Sequence, residues 1–135
     1  MIQIVVATHA GLGKAMLETA AIISGGTEGV KAIGLYPGEG AEDVEEALRG
    51  IISEKGEDDA ILCLTDIPGG SPSRVALSLA LECPDFHVVS GLNLGMMTEA
   101  LLLKDCMGCE QLKKQIVASA VNSIGDIGKS FIDSM

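Results

Sequence analysis

His9 and Asp66 have the residue types and positions for proton and phosphoryl chemistry. His9 comes just after the apolar run Ile2–Ala7 (IQIVVA) and Thr8, and the Gly-rich turn Ala10-Gly11-Leu12-Gly13 follows it. An imidazole just past a strand end can be exposed while its neighbours are buried. Near neutral pH it can act as a nucleophile or carry a proton. Asp66 stands just past a second apolar run, Ala60–Thr65 (AILCLT). If the two runs are neighbouring strands, their ends lie about 5 Å apart. The carboxylate then accepts the Nδ1 proton of His9, leaves Nε2 bare and outward, and stabilises positive charge on the ring. Taken alone, His9 reads equally well as a loop histidine and Asp66 as a turn former before Pro68.

Gly69-Gly70-Ser71-Pro72 follows Asp66 closely. Ser71 is a favoured N-cap and Pro72 a favoured first helical residue. A helix start behind two glycines also offers free N–H groups and a positive dipole end to an anion. Gly70 and Ser71, with Gly11 of the first turn, are the candidate phosphate-binding positions. A histidine nucleophile, an orienting carboxylate and an anion site together suggest transfer of a phosphoryl group through phosphohistidine.

The rest of the chain must place these residues at one edge. Strands are predicted over Ile2–Ala7, Val30–Tyr36, Ala60–Thr65 and Phe86–Ser90. Helices are predicted over Lys14–Ser24, Ala41–Ser53, Ser71–Leu81 and Gly95–Leu103. Val44, Ala47, Leu48, Ile51 and Ile52 make one apolar helical face. Leu112, Ile116, Ala120, Ile124, Ile127 and Phe131 recur every three or four residues, so the C-terminus reads as amphipathic helix, weakened by Gly125 and Gly128. This alternation predicts an α/β fold: one open, mostly parallel sheet of four to five strands with helices on both faces. Ligands of such sheets sit outside the carboxyl ends of the strands, at a topological switch point. The strand ends at His9, at Asp66 and at Ser90-Gly91 are the places to look.

With 135 residues, the chain is expected to form one domain. Its 2% aromatic content requires an aliphatic core. A net charge of -10 and the lack of stacking aromatics exclude nucleic acid as a partner. No apolar run approaches the ~20 residues of a membrane span, and Met1–Ala7 is only strand-length and lacks the basic start of a signal peptide, so a cytoplasmic location is expected. Cys63 reads as a core hydrophobe. Cys106-Met107-Gly108-Cys109 could be redox-active or half of a zinc site, but a second ligand pair is missing, so reduced structural thiols are the favoured reading. No metal or cofactor is expected. Gly11-Leu12-Gly13-Lys14 fails the phosphate-loop pattern, with Thr8 and Ala15 at required positions, and Met16 breaks the dinucleotide fingerprint. His87, inside the fourth strand, reads as structural.

In this order and spacing the motifs resemble one family. These are Thr8-His9, Pro37-Gly38-Glu39 with Ala41-Glu42, Thr65-Asp66 with Gly69-Gly70-Ser71-Pro72, and Gly91-Leu92-Asn93-Leu94 with Met96-Met97-Thr98-Glu99. The chain is similar to the mannose-family IIA component of the bacterial phosphoenolpyruvate-dependent sugar phosphotransferase system. The resemblance spans nearly the whole chain and implies a single IIA domain over residues 1–135 with no fused IIB. It implies that His9 accepts a phosphoryl group on Nε2 from the phosphocarrier protein HPr and passes it to a IIB component, which serves membrane permease subunits. It also implies that Asp66 holds the other ring nitrogen, that Ser71 lies near the phosphate, and that the chain is a homodimer. Gly11-Leu12-Gly13, Pro68, Arg74 and Gly95 depart from the common pattern, at positions that shape the rim of the site. Two rival readings are a phosphatase with a histidine nucleophile and a non-catalytic anion-sensing module.

The acidity is uneven. Nine acids and two bases lie between Glu39 and Asp59, which therefore hold seven of the ten excess negative charges. This is a solvated face, and the segments around His9 and Asp66 are nearly neutral.

Overall fold

The computed structural model describes residues 1–135. Four strands, β1 (Ile2–His9), β2 (Lys31–Leu35), β3 (Ala60–Thr65) and β4 (Phe86–Val89), form one parallel sheet in the order β2-β1-β3-β4. Between them run α1 (Leu12–Ser24), α2 (Ala41–Glu54) and α3 (Ser71–Glu82). After β4 come α4 (Leu94–Leu103), α5 (Cys109–Asn122) and α6 (Ile127–Ser134).

The central strands are apolar at nearly every position because both of their faces are covered. Ile4 and Val6 of β1, with Leu62 and Leu64 of β3, pack with Leu17, Met97, Leu112 and Ile116 of α1, α4 and α5. The alternate residues Val5, Ala7, Ile61 and Cys63 pack with Val44, Leu48, Val75 and Leu79 of α2 and α3. The chain moves from β1 outward to β2, then crosses back to β3 on the other side of β1. That reversal puts the topological switch point at the carboxyl ends of β1 and β3, where Ala7 pairs in register with Thr65.

The expected α/β architecture is present, with four strands and every pairing parallel. The C-terminus differs from the expected single run. α5 ends at Asn122, and α6 restarts at Asp126, whose carboxylate accepts the Lys129 N–H at 3.0 Å. Leu112, Ile116 and Ala120 are buried, while Ile124, Ile127 and Phe131 are exposed. The periodicity continued across the break because both helices are amphipathic, but only the first packs on the body.

The start of α3 also differs. Gly70, not Ser71, is the N-cap, Ser71 is the first helical residue, and Pro72 follows within the first turn. The Gly70 carbonyl already accepts the Arg74 N–H at 3.0 Å, so the helix begins one residue earlier than residue preference suggested. No side chain caps it.

All four cysteines are free. Cys63 is fully buried in the sheet, and burial pushes its thiol up to about 12. A thiol reagent at mildly alkaline pH should therefore modify exposed Cys106 in the native protein and reach Cys63 only after denaturation. Mass mapping of the labelled peptides checks this, and native labelling of Cys63 would contradict its place in the core.

Candidate functional site

β1 ends at His9, and the chain turns at once. Ala10 takes a left-handed backbone angle, φ 47°. Its N–H donates to the Leu35 carbonyl at 2.8 Å, tying the turn to the end of β2. Gly34 makes this approach possible, since a Cβ there would stand 2.3 Å from the Ala10 carbonyl oxygen. On the inner side, the buried Thr8 hydroxyl accepts the Gly13 N–H at 2.8 Å and fixes the first turn of α1 to the strand. The backbone leaving His9 is thus held from both sides.

Asp66 is held in the same manner. Its carbonyl accepts the Gly91 N–H at 2.7 Å, and the Thr65 carbonyl accepts the Leu92 N–H at 2.9 Å. The segment after β4 therefore splints the end of β3. Below it, the Ser73 hydroxyl donates to the Ile67 carbonyl at 2.6 Å and lies 2.7 Å from the Thr65 hydroxyl.

These anchors bring Asp66 onto His9. Asp66 Oδ2 accepts the His9 backbone N–H at 2.9 Å and lies 2.9 Å from Nδ1. An ionised carboxylate can only accept, so Nδ1 carries the proton and Nε2 is left with its lone pair. The His9 side chain is 44% exposed, whereas that of Asp66 is 8% exposed. Burial favours the neutral acid, but the hydrogen bonds from the backbone and ring of His9 outweigh it. They hold the carboxyl below its ordinary value. The stability this pairing contributes is therefore full above the ordinary carboxylate pKa of roughly 4 and is lost as pH falls through the lower folded value.

Gly70 is the third component. A Cβ at this position would stand 2.6 Å from Cε1 and 3.3 Å from Nε2 of His9. The ring therefore lies directly over the start of α3, with its Cε1–Nε2 edge against that turn. Ser71, half-buried, begins the helix beside it. The expected set His9, Asp66, Gly70 and Ser71 is thus gathered at one edge. Gly11 caps α1 and adjoins Tyr36, whose hydroxyl lies 3.4 Å from where a Gly11 Cβ would be. The surface cleft lined by Met1, Asp58 and Cys109 lies away from His9.

A family model described as "PTS system fructose IIA component" matches residues 3–117. The chain belongs to this family. The mannose-specific EIIAB component of Escherichia coli K12 is 32% identical over 104 residues, covering 77% of this chain and 32% of that protein. The chain thus spans about a third of the length of that relative. The fructose-specific EIIA component of Bacillus subtilis is 26% identical over 123 residues, covering 91% of this chain and 84% of the relative. The crystal structure of phosphotransferase system component EIIA from Streptococcus agalactiae superposes with a TM-score of 0.87. It has 31% identity and covers 96% of this chain and 99% of that one. The PTS IIA protein associated with the fucose utilization operon of Streptococcus pneumoniae gives 0.85 at 29% identity, covering 96% of each chain.

In this IIA chain, sequence reasoning missed the contribution of β2. Gly34 admits the Ala10 carbonyl, and Tyr36 closes over Gly11. The signal was available, because the rule that ligands sit at carboxyl strand ends applies to β2 as well as to the other strands. The role of Gly70 as a seat for the ring was also not visible. Gly70→Ala should displace a ring that Asp66 pins from the other side. The phosphorylation of His9 expected from the sequence, followed with phosphoenolpyruvate, enzyme I and HPr, should slow roughly ten- to hundredfold while the urea midpoint stays close to wild type. An unchanged labelling rate would show that the ring does not need this seat.

Proposed function

We propose that the chain is a phosphocarrier of a sugar phosphotransferase system, in which His9 Nε2 accepts a phosphoryl group from HPr and passes it to a IIB component during sugar uptake. The observation that carries this reading is the 2.9 Å contact of His9 Nδ1 with Asp66 Oδ2, which leaves Nε2 as a half-exposed nucleophile. Membership of the IIA family supports it. The open setting of His9 suits docking of another protein's phosphohistidine. Catalysis then comes from alignment and charge stabilisation.

The reaction joins two proteins, so the acidic face of α2 can stay solvated while a low-charge edge docks the partner. No helix is long and apolar enough to cross a membrane, which accords with the cytoplasmic location proposed for a soluble relay. A homodimer is proposed as well. It is supported by α6, an eight-residue helix with no buried residue, because so short a helix is marginal in water without something to pack on.

The test is to mix the chain with phosphoenolpyruvate, enzyme I and HPr. An acid-labile phosphoryl group should appear and map to the peptide bearing His9. Release of inorganic phosphate without a carrier would favour the phosphatase reading instead. Anion-dependent stabilisation with no covalent phosphate would favour the sensing module.

A further inference from the structure

The chain's two arginines are in opposite situations. Arg49 is committed to carboxylates: its guanidinium reaches Glu82 at 2.6 Å and Glu45 at 2.9 Å. Lys31, Lys55, Lys104 and Lys113 pair with acids too. Arg74 is exposed and pairs with no carboxylate, in a chain with ten excess negative charges. It is the one uncommitted guanidinium.

Its place on α3 is specific. The Arg74 N–H donates to the Gly70 carbonyl at 3.0 Å, so Arg74 stands one helical turn beyond Gly70 on the same face. The His9 ring lies against Gly70 with Nε2 on that side. Helical side chains lean toward the N-terminus of their helix, so the stem of Arg74 leans back toward the ring. A guanidinium on a flexible stem of this length can span one turn. Its planar fork matches the oxygens of a phosphoryl group.

We propose that Arg74 is a catalytic residue that binds the phosphoryl group carried on His9 Nε2, an inference that rests on the phosphocarrier reading. During transfer the Nε2 lone pair forms a bond to phosphorus as the donor's P–N bond breaks. The donor ring nitrogen keeps that electron pair, and the Nδ1 proton of His9 stays on its hydrogen bond to Asp66. The incoming group brings negative charge beside the buried Asp66 carboxylate, in an already acidic protein. Arg74 offsets that charge in the transition state and in the phosphorylated product.

The experiment compares wild type, Arg74→Gln, Arg74→Lys and Lys114→Gln, all at exposed positions. Lys114, on α5, is an unpaired cation away from the site. Each is phosphorylated with phosphoenolpyruvate, enzyme I and HPr. The readouts are the single-turnover rate at saturating HPr, the transfer equilibrium between HPr and the chain, and the phosphorus-31 resonance of the isolated phosphoprotein. Arg74→Gln should slow transfer roughly ten- to hundredfold, shift the equilibrium toward HPr and move the resonance. Arg74→Lys should recover part of each effect, and Lys114→Gln should match wild type. If Arg74→Gln raises only the HPr concentration needed, with saturated rate, equilibrium and resonance unchanged, Arg74 contacts the partner's surface and the proposal is overturned. Failure of the wild-type chain to form phosphohistidine would instead remove the functional reading on which it rests.

Discussion

His9→Ala is expected to take up no phosphoryl label, whereas His87→Ala labels like the wild-type chain. Both residues are imidazoles on parallel strands, and their surroundings separate them. His9 stands at the carboxyl end of β1 with Nδ1 on Asp66, Nε2 left without a proton and the side chain 44% exposed. His87 lies within the sheet, opposite Leu62 of β3. Its Nδ1 is 3.0 Å from Lys113 Nζ, a donor, so the ring proton sits on Nε2. That tautomer lacks the outward lone pair a nucleophile needs. The loss in His9→Ala should come with little loss of fold. The backbone N–H of residue 9, which also bonds Asp66, survives the substitution. A destabilisation of about 1–2 kcal/mol is expected in urea. It should shrink in acid, as pH falls through the lowered folded value of Asp66 and the carboxylate that holds His9 is protonated. Acid-labile label in His9→Ala would end the assignment.

Asp66→Asn should slow phosphorylation by about 10²- to 10⁴-fold while leaving a folded protein. The asparagine oxygen can still accept one donor, and the backbone N–H of His9 competes for it. Presenting its amide NH₂ to Nδ1 would move the ring proton to Nε2 and remove the nucleophile. Even with the oxygen facing the ring, the negative charge that stabilises a positive imidazole is gone. The effect belongs to the saturated rate rather than to HPr affinity, because Asp66 is buried beneath the ring and cannot meet a partner. Rapid-quench labelling at saturating HPr measures it. A wild-type rate would show that the carboxylate only props the loop. Labelling that failed together with a collapsed urea midpoint would assign the loss to folding.

The candidate site was legible because its residues follow strand ends. The run IQIVVA before Thr8-His9, and AILCLT before Thr65-Asp66, mark two strands buried on both faces. Their ends must then lie at one edge if the strands are neighbours. The amphipathic spacing of Val44, Leu48 and Ile51 likewise located α2, and all three are buried. The same pattern misled beyond Ala120. Periodicity reports that a helix has an apolar side, but not whether anything covers it. Ile124, Ile127 and Phe131 continue the spacing in solvent.

The sequence by itself determined the order of strands and helices through α4, the aliphatic core and the candidate residues for phosphoryl chemistry. These follow from side-chain type and local spacing, which are properties of the chain alone. Only the tertiary structure decided that β3 lies beside β1, that one oxygen of Asp66 holds both the backbone and the ring of His9, and that the ring rests on Gly70. Each is a contact between residues distant in sequence, set by strand pairing and by where a missing Cβ leaves room. The same packing set the His9 ring against Gly70, one helical turn before Arg74.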